Sequence, residues 1–199
     1  MKDIIILGCG ISHFECPYDT EVWSVNAAVR WAEGKGRKLD ILFFFDDLES
    51  FDPYVMTLGD LVNTNARLIS TQKNADFGKQ FGLNIEVYPI DDIIKQFNTV
   101  YFSNSISYMI AYAIHRGDIN KISMYGVDHM TWSSYVMERC GVEYWVGRAE
   151  GAGIEVEIAK GSALCKTLND KLYGYEFQYD KNARVELLTN SQSERILIA

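Results

Sequence analysis

The sequence predicts an α/β fold: a three-layer sandwich of helices around a mostly parallel sheet, with a β-hairpin at the carboxyl end. Three observations predict it. Short apolar runs rich in β-branched or aromatic residues, such as residues 4–7 and 39–45, read as strands buried on both faces, as parallel sheets require. These runs alternate with stretches of helical period. The first run stops at Gly8-Cys9-Gly10-Ile11-Ser12, a glycine turn of the kind that ends the first strand of a Rossmann-like sheet, at the edge where ligands bind. Glycines there let a phosphate or ribose approach without meeting a Cβ. The same turn is equally compatible with a tight βα connection that holds nothing.

The chain has 199 residues, 48% of them apolar and 13% aromatic, enough for one core. With only three prolines and no polar tract, it has no evident linker. Residues 1–165 are read as a Rossmann-like nucleotide-binding domain and 166–199 as an aromatic hairpin appendage. A net charge of −8 excludes a protein whose main task is coating a nucleic-acid backbone. The four cysteines, Cys9, Cys16, Cys140 and Cys165, lack zinc-site spacing and read as reduced thiols. No apolar run reaches membrane-spanning length and no signal-peptide core follows the first residues, so the expectation is a soluble, cytoplasmic protein with no membrane partner.

Residues 21–26 alternate apolar and polar as a second strand ending in Asn26, which can present a donor and an acceptor to a base or sugar, or simply form a turn. A short helix over 27–34 leads to the strand at 39–45, which runs into Asp46-Asp47. Those carboxylates can bind hydroxyls, hold a metal, act as a base, or cap the next helix. Residues 66–70 and 85–88 are two further strands, with loop or helix between, and 91–97 is an amphipathic helix with acids in its first turn. Ser103-Asn104-Ser105-Ile106-Ser107 then opens an apolar helix that closes at His115-Arg116-Gly117. Its start should direct free N–H groups and three serine hydroxyls outward, as an anion site needs. A strand over 121–126 delivers Asp128 and His129 to the same sheet edge as Gly8. Histidine beside aspartate there can be a general base, or Asp128 can merely cap a turn.

A helix over 138–151 carries Val142, Trp145, Val146 and Ala149 on one side and Tyr144 and Arg148 on another. Arg148 is a candidate phosphate fork, or a solvated charge. Residues 154–158 should be the last, peripheral strand. Residues 172–179 place aromatics on alternate positions and, with 184–188, predict the hairpin, whose aromatic face would pack on the domain or on a second copy of the chain as a homo-oligomer contact.

Together these residues resemble the bacterial sialyltransferases that modify lipooligosaccharides, and the related superfamily that includes archaeal-type hydroxymethyl-dihydropterin diphosphokinases. The likeness lies in the glycine turn, in Val25-Asn26, and in residues 103–117 with the strand ending at Asp128. The chain is also similar to small proteins of tailed-phage genomes, which would place it in a host cytoplasm. The resemblance implies that Gly8, Gly10, Ser12, Asn26, Asn104, Ser105 and Ile106 hold a nucleotide or nucleotide sugar and that Tyr135 steadies the leaving phosphate; Cys9, standing where the family has asparagine, is a further nucleotide-binding candidate, as are Asp46 and Arg148 from the residues themselves. It departs at Met130, where the family has a second phosphate tyrosine, and between residues 136 and 141, where the family's lid histidine is missing. His129 with Asp128 is the substitute base. The implied function is glycosyl or phosphoryl transfer from a nucleotide donor; the alternatives are a non-catalytic, sequestering nucleotide or signalling-molecule binder and an assembly protein with a vestigial site. No metal ligands are assigned. A diphosphate donor would bring Mg²⁺ to Asp46 or Asp47, and a monophosphate sugar would need none.

Overall fold

The computed structural model describes residues 1–50, 52–129, 133–167, 170–178, 185–190 and 193–198, with backbone alone for 133–136 and 185–198. One parallel sheet contains β1 (Lys2–Leu7), β2 (Glu21–Val25), β3 (Ile41–Phe43), β4 (Arg67–Ser70), β5 (Ile85–Val87), β6 (Ile119–Tyr125) and β7 (Glu155–Ile158), in the order β5-β4-β3-β2-β1-β6-β7. Successive strands march outward from β1 to β5. The chain then returns across the sheet, and β6 and β7 add to the other side of β1. The order therefore reverses between β1 and β6.

The helices are α1 (Ala28–Glu33), α2 (Leu58–Asn63), α3 (Gln72–Gly78), α4 (Ile90–Phe97), α5 (Ser105–Arg116) and α6 (Ser133–Gly151). The two-residue period of β1 sorts them into layers. Ile4 and Ile6 face a core with Met109 and Ile110 of α5 and Val142 and Trp145 of α6. Ile5 and Leu7 face the other, with Val29 of α1 and Ala75 of α3. Both faces of β1 are thus buried, as its unbroken apolar run requires.

α5 forms where its signals sit. Asn104 caps it by accepting from Ser107 N at 3.0 Å, and Gly117 ends it at φ 68° with His115 and Arg116 in the last turn. The segment between β4 and β5, open between loop and helix in the sequence, is α3 followed by one 3-10 turn. α6 starts earlier than the sequence indicates, at Ser133 rather than 138.

The carboxyl-terminal hairpin exists with different arms. β8 (Val185–Asn190) pairs antiparallel with β9 (Ser193–Ile198). The expected first arm, residues 172–178, instead closes on itself: Gly174 takes φ 83°, its N–H donates to Phe177 O at 2.7 Å, and Tyr173 bridges Phe177. Alternating aromatics cannot stay extended across a left-handed glycine. Residues 179–184 of the expected arms lie outside the described residues. Among the described residues, no helix is long and apolar enough to cross a membrane.

Candidate functional site

The turns after β1 and β6 leave the sheet side by side. Gly8 N donates to Tyr125 O at 2.8 Å and Gly10 N to Gly126 O at 2.7 Å. The approach is tight: a Cβ on Gly8 would lie 2.3 Å from Gly126 O, and one on Gly126 2.4 Å from Gly8 O. A Cβ on Gly10 would lie 2.5 Å from Asp128 Oδ2. These glycines are therefore demanded by the crossing of two turns, and the amides of Gly8 and Gly10 are already used by Tyr125 O and Gly126 O.

Behind the turn, Ser12 and Asp128 lock the two loops together. Ser12 N donates to Asp128 Oδ2 at 2.9 Å, Ser12 Oγ donates to Asp128 Oδ1, and Gly126 N donates to Ser12 Oγ at 2.8 Å. Both residues are buried. Ser12 is thus a structural clamp rather than a lining residue, and both Asp128 oxygens engage it.

In front of this clamp lies a cavity of about 530 Å³ at the carboxyl edge of the sheet, a size suited to a small organic ligand. Gly8, Cys9, Gly10 and Ile11 line it from the first turn, and Gly126, Val127, Asp128 and His129 from the adjoining second turn. Asn104, Ser105 and Ile106 at the start of α5, Val25 and Asn26 after β2, and Glu138 of α6 complete it. Of the residues the sequence nominated, nine converge here.

Each contributes differently. Asn26 adopts φ 43°, so it makes the turn as well as lining the cavity; asparagine tolerates this region. Its Nδ2 donates to Asp46 Oδ2 at 3.3 Å, and its buried Oδ1 has no hydrogen-bond partner. Although Cys9 as a residue is exposed, its thiol turns inward toward Val25 O at 3.7 Å, and burial raises its pKa. Asn104 accepts from Ser107 with its oxygen, so its Nδ2 is presented to Glu138 Oε2 at 3.2 Å and lies 3.5 Å from His129 Nε2. Ser105 reaches the cavity. Ser103 Oγ turns away to donate to Glu138 O of α6 at 2.8 Å, and Ser107 Oγ donates to Asn104 Oδ1 at 3.1 Å, so two of the three hydroxyls expected outward are spent within the protein instead. The first N–H groups of α5, with the positive end of its dipole, remain an anion-binding feature of the wall.

His129, at φ 47°, is half-buried in the cavity. Burial lowers its pKa, with the Arg139 charge acting in the same sense and Asp128 and Glu143 opposing. The ring is therefore neutral near pH 7, the form a general base requires. Because Asp128 is tied to Ser12, its carboxylate acts on His129 as a nearby charge.

Other nominated residues stand apart. Asp46 is exposed, outside the cavity, and reached only through Asn26. Asp47 is paired with Lys73. Arg148 packs over Phe97, 5.1 Å from its centroid, and donates to Tyr144 OH at 2.7 Å, because its stripe of α6 faces α4 rather than the sheet edge. The Tyr135 side chain and Met130 lie outside the described residues. Among the described residues no group of three or more His, Cys, Asp and Glu side chains could hold a metal ion.

Sequence reasoning missed Glu138. A signal existed: Glu138, Val142, Trp145 and Ala149 follow helical spacing, so an acid continues an otherwise buried stripe.

Neither a family model nor a curated protein matches the chain. Solved structures do. The sialyltransferase CstII from Campylobacter jejuni in complex with the substrate analogue cytidine-5'-monophosphate aligns with a TM-score of 0.52 at 21% identity, covering 96% of each chain. A CST-II sialyltransferase variant in complex with CMP aligns with a TM-score of 0.56 at 19% identity, again over 96% of each. What the chain shares with these enzymes, from end to end, is their fold.

Proposed function

We propose that the cavity binds the nucleotide part of a sugar-nucleotide donor and that the protein transfers the glycosyl group. One observation carries the reading: the cavity sits where the strand order reverses, between β1 and β6, the place where open α/β sheets bind ligands. The similarity to CMP-bound sialyltransferases supports a cytidine nucleotide. In this reading Asn26 faces the base or sugar, and the N–H groups opening α5, with Ser105, hold the phosphate. An acceptor hydroxyl oxygen bonds to the anomeric carbon as the bond from that carbon to the phosphate oxygen breaks. The nucleoside monophosphate leaves with the bonding electrons, and the hydroxyl proton passes to neutral His129. Donors fixed on the leaving phosphate supply much of the rate.

Thermal denaturation with cytidine, uridine and adenosine nucleotides, with and without Mg²⁺, tests binding. A cytidine nucleotide at a hundred times its Kd should add about 2.7 kcal/mol and raise the melting point by several degrees, and Asn26→Ala and Ser105→Ala should abolish the rise. No shift with any nucleotide defeats the proposal. A shift confined to nucleoside triphosphates with Mg²⁺ redirects it to phosphoryl transfer.

A second reading, sequestration without turnover, draws support from the commitment of both Asp128 oxygens to the Ser12 clamp. His129→Gln separates the two. A transferase keeps its ligand and loses turnover, whereas wild-type protein that binds but never releases nucleoside monophosphate in the presence of acceptor is a binder.

A further inference from the structure

Glu138 brings a carboxylate into the cavity, and no Lys or Arg among the described residues lines the cavity with it. Its Oε2 accepts from Asn104 Nδ2 at 3.2 Å and its main-chain oxygen from Ser103 Oγ at 2.8 Å, so the side chain is held beside the start of α5. Among the described residues nothing donates to its other oxygen, Oε1, and no cation pairs with it. Arg139, the next residue, is bound to Glu143 at 2.7 Å. Asp128, the other acid of the cavity, has both oxygens committed to Ser12. Of the two acids, Glu138 is the one that keeps an oxygen for a ligand.

The strand order says which part of a ligand meets it. Along the carboxyl edge of the sheet stand Asn26 after β2, the glycine turn after β1 and His129 after β6, with Glu138 on the helix that follows β6. In the proposed transfer the nucleoside lies towards Asn26, the phosphate at the first turn of α5 and the reacting carbon at His129. The group being transferred then lies on the α6 side, against Glu138.

We infer that Glu138 selects the transferred sugar: it accepts a hydroxyl of a sugar that carries no acid group, and it excludes acidic sugars, sialic acids among them. A carboxylate can only accept, and a sugar hydroxyl supplies the donor that Oε1 lacks, in a charge-assisted hydrogen bond. A sugar carboxylate in that place would set two like charges together in a cavity that no cation lines, which costs more inside a protein than in water. The phosphate escapes this penalty because the N–H groups that open α5 are its own donors. The inference rests on the glycosyl-transfer reading and narrows it: the fold is that of sialyltransferases, and the sugar is of another class.

Calorimetric titration of the full chain at low ionic strength tests it with two pairs of donors. Each pair shares a base and differs by one charge on the sugar: UDP-glucose against UDP-glucuronate, and the carboxyl methyl ester of CMP-sialate against CMP-sialate. In whichever series binds, the member without the carboxylate should bind about tenfold more tightly or better. Glu138→Gln, which can still accept from Asn104, should bring the two members within about threefold of each other, chiefly by tightening the acidic one. Glu150→Gln, the same change of charge at an exposed position near the far end of α6, should leave the wild-type ratio as it was. Equal binding of both members by wild type, tighter binding of the acidic one, a preference that survives in Glu138→Gln, or one lost equally in Glu150→Gln overturns the inference while nucleotide binding stands. If neither series binds, the nucleotide reading falls and this inference with it.

Discussion

Ser12 and Asp128 lie 116 residues apart in the chain and are joined by two hydrogen bonds in the interior. Removing the hydroxyl takes the donor from Asp128 Oδ1 and the acceptor from Gly126 N, while Ser12 N still serves Oδ2, so Ser12→Ala should cost about 1–3 kcal/mol. At about 2–4 °C per kcal/mol for a protein of this size, the melting point should fall by several degrees, and an unchanged melting point would show the clamp to be dispensable. His129 gives a pH signature. Its folded pKa lies below the ordinary 6.5, so below pH 6.5 the unfolded chain takes up the proton first. The stability of the neutral ring is therefore complete above 6.5 and is lost as pH falls from there toward the lowered value. In urea unfolding between about pH 7.5 and about pH 5.5, His129→Gln should lose less stability than wild type, since it no longer carries this group. An identical loss in both proteins contradicts the burial.

At the scale of elements, α5 unites fold and site, since its body fills one core and its first turn lines the cavity. Asn104 is the residue on which both tasks meet. Asn104→Ala should cost about 1 kcal/mol through the lost cap and weaken the proposed nucleotide binding, whereas Asn104→Ser, which still caps, should keep most of the stability and lose the amide donor. Melting points and titrations of the two variants separate these effects. This helix was legible in the sequence because amide cap, apolar body, cations and glycine all agree. The glycine turn was legible too, although its physical reason was not: nothing local announces that Gly126 will press against Gly8 from across the sheet. Ser103 and Ser107 misled for a related reason, since a hydroxyl that bonds to the next helix, as Ser103 does to Glu138 O, or to its own cap, as Ser107 does to Asn104, has the same spacing as one that faces a ligand. Arg148 misled because helical phase gives its stripe but not the neighbour that covers it. The carboxyl-terminal hairpin was foreseen as a motif and misplaced in register, since alternation outvoted a glycine that the fold sets at positive φ.

For the whole molecule, the strand order is the governing fact. A sheet read as mostly parallel proved parallel throughout its seven strands, and the reversal between β1 and β6, which no local pattern encodes, created the cavity. The two turns meeting there tolerate no side chain. Gly126→Ala, which adds a Cβ 2.4 Å from Gly8 O at φ 69°, should destabilise the protein on the order of 3 kcal/mol, read as a lower denaturant midpoint; Gly147→Ala, whose Cβ meets open space, should be neutral or slightly stabilising. The position of β1 also bears on how the chain is made. Synthesis delivers β1 to β5 first, and until β6 arrives β1, apolar from Ile4 to Leu7, has one unpaired edge. Such an edge is a template for association with other chains. The pairing that shields it is the same pairing that builds the cavity, so a nascent protein vulnerable to aggregation is one that no ligand of that cavity can yet protect.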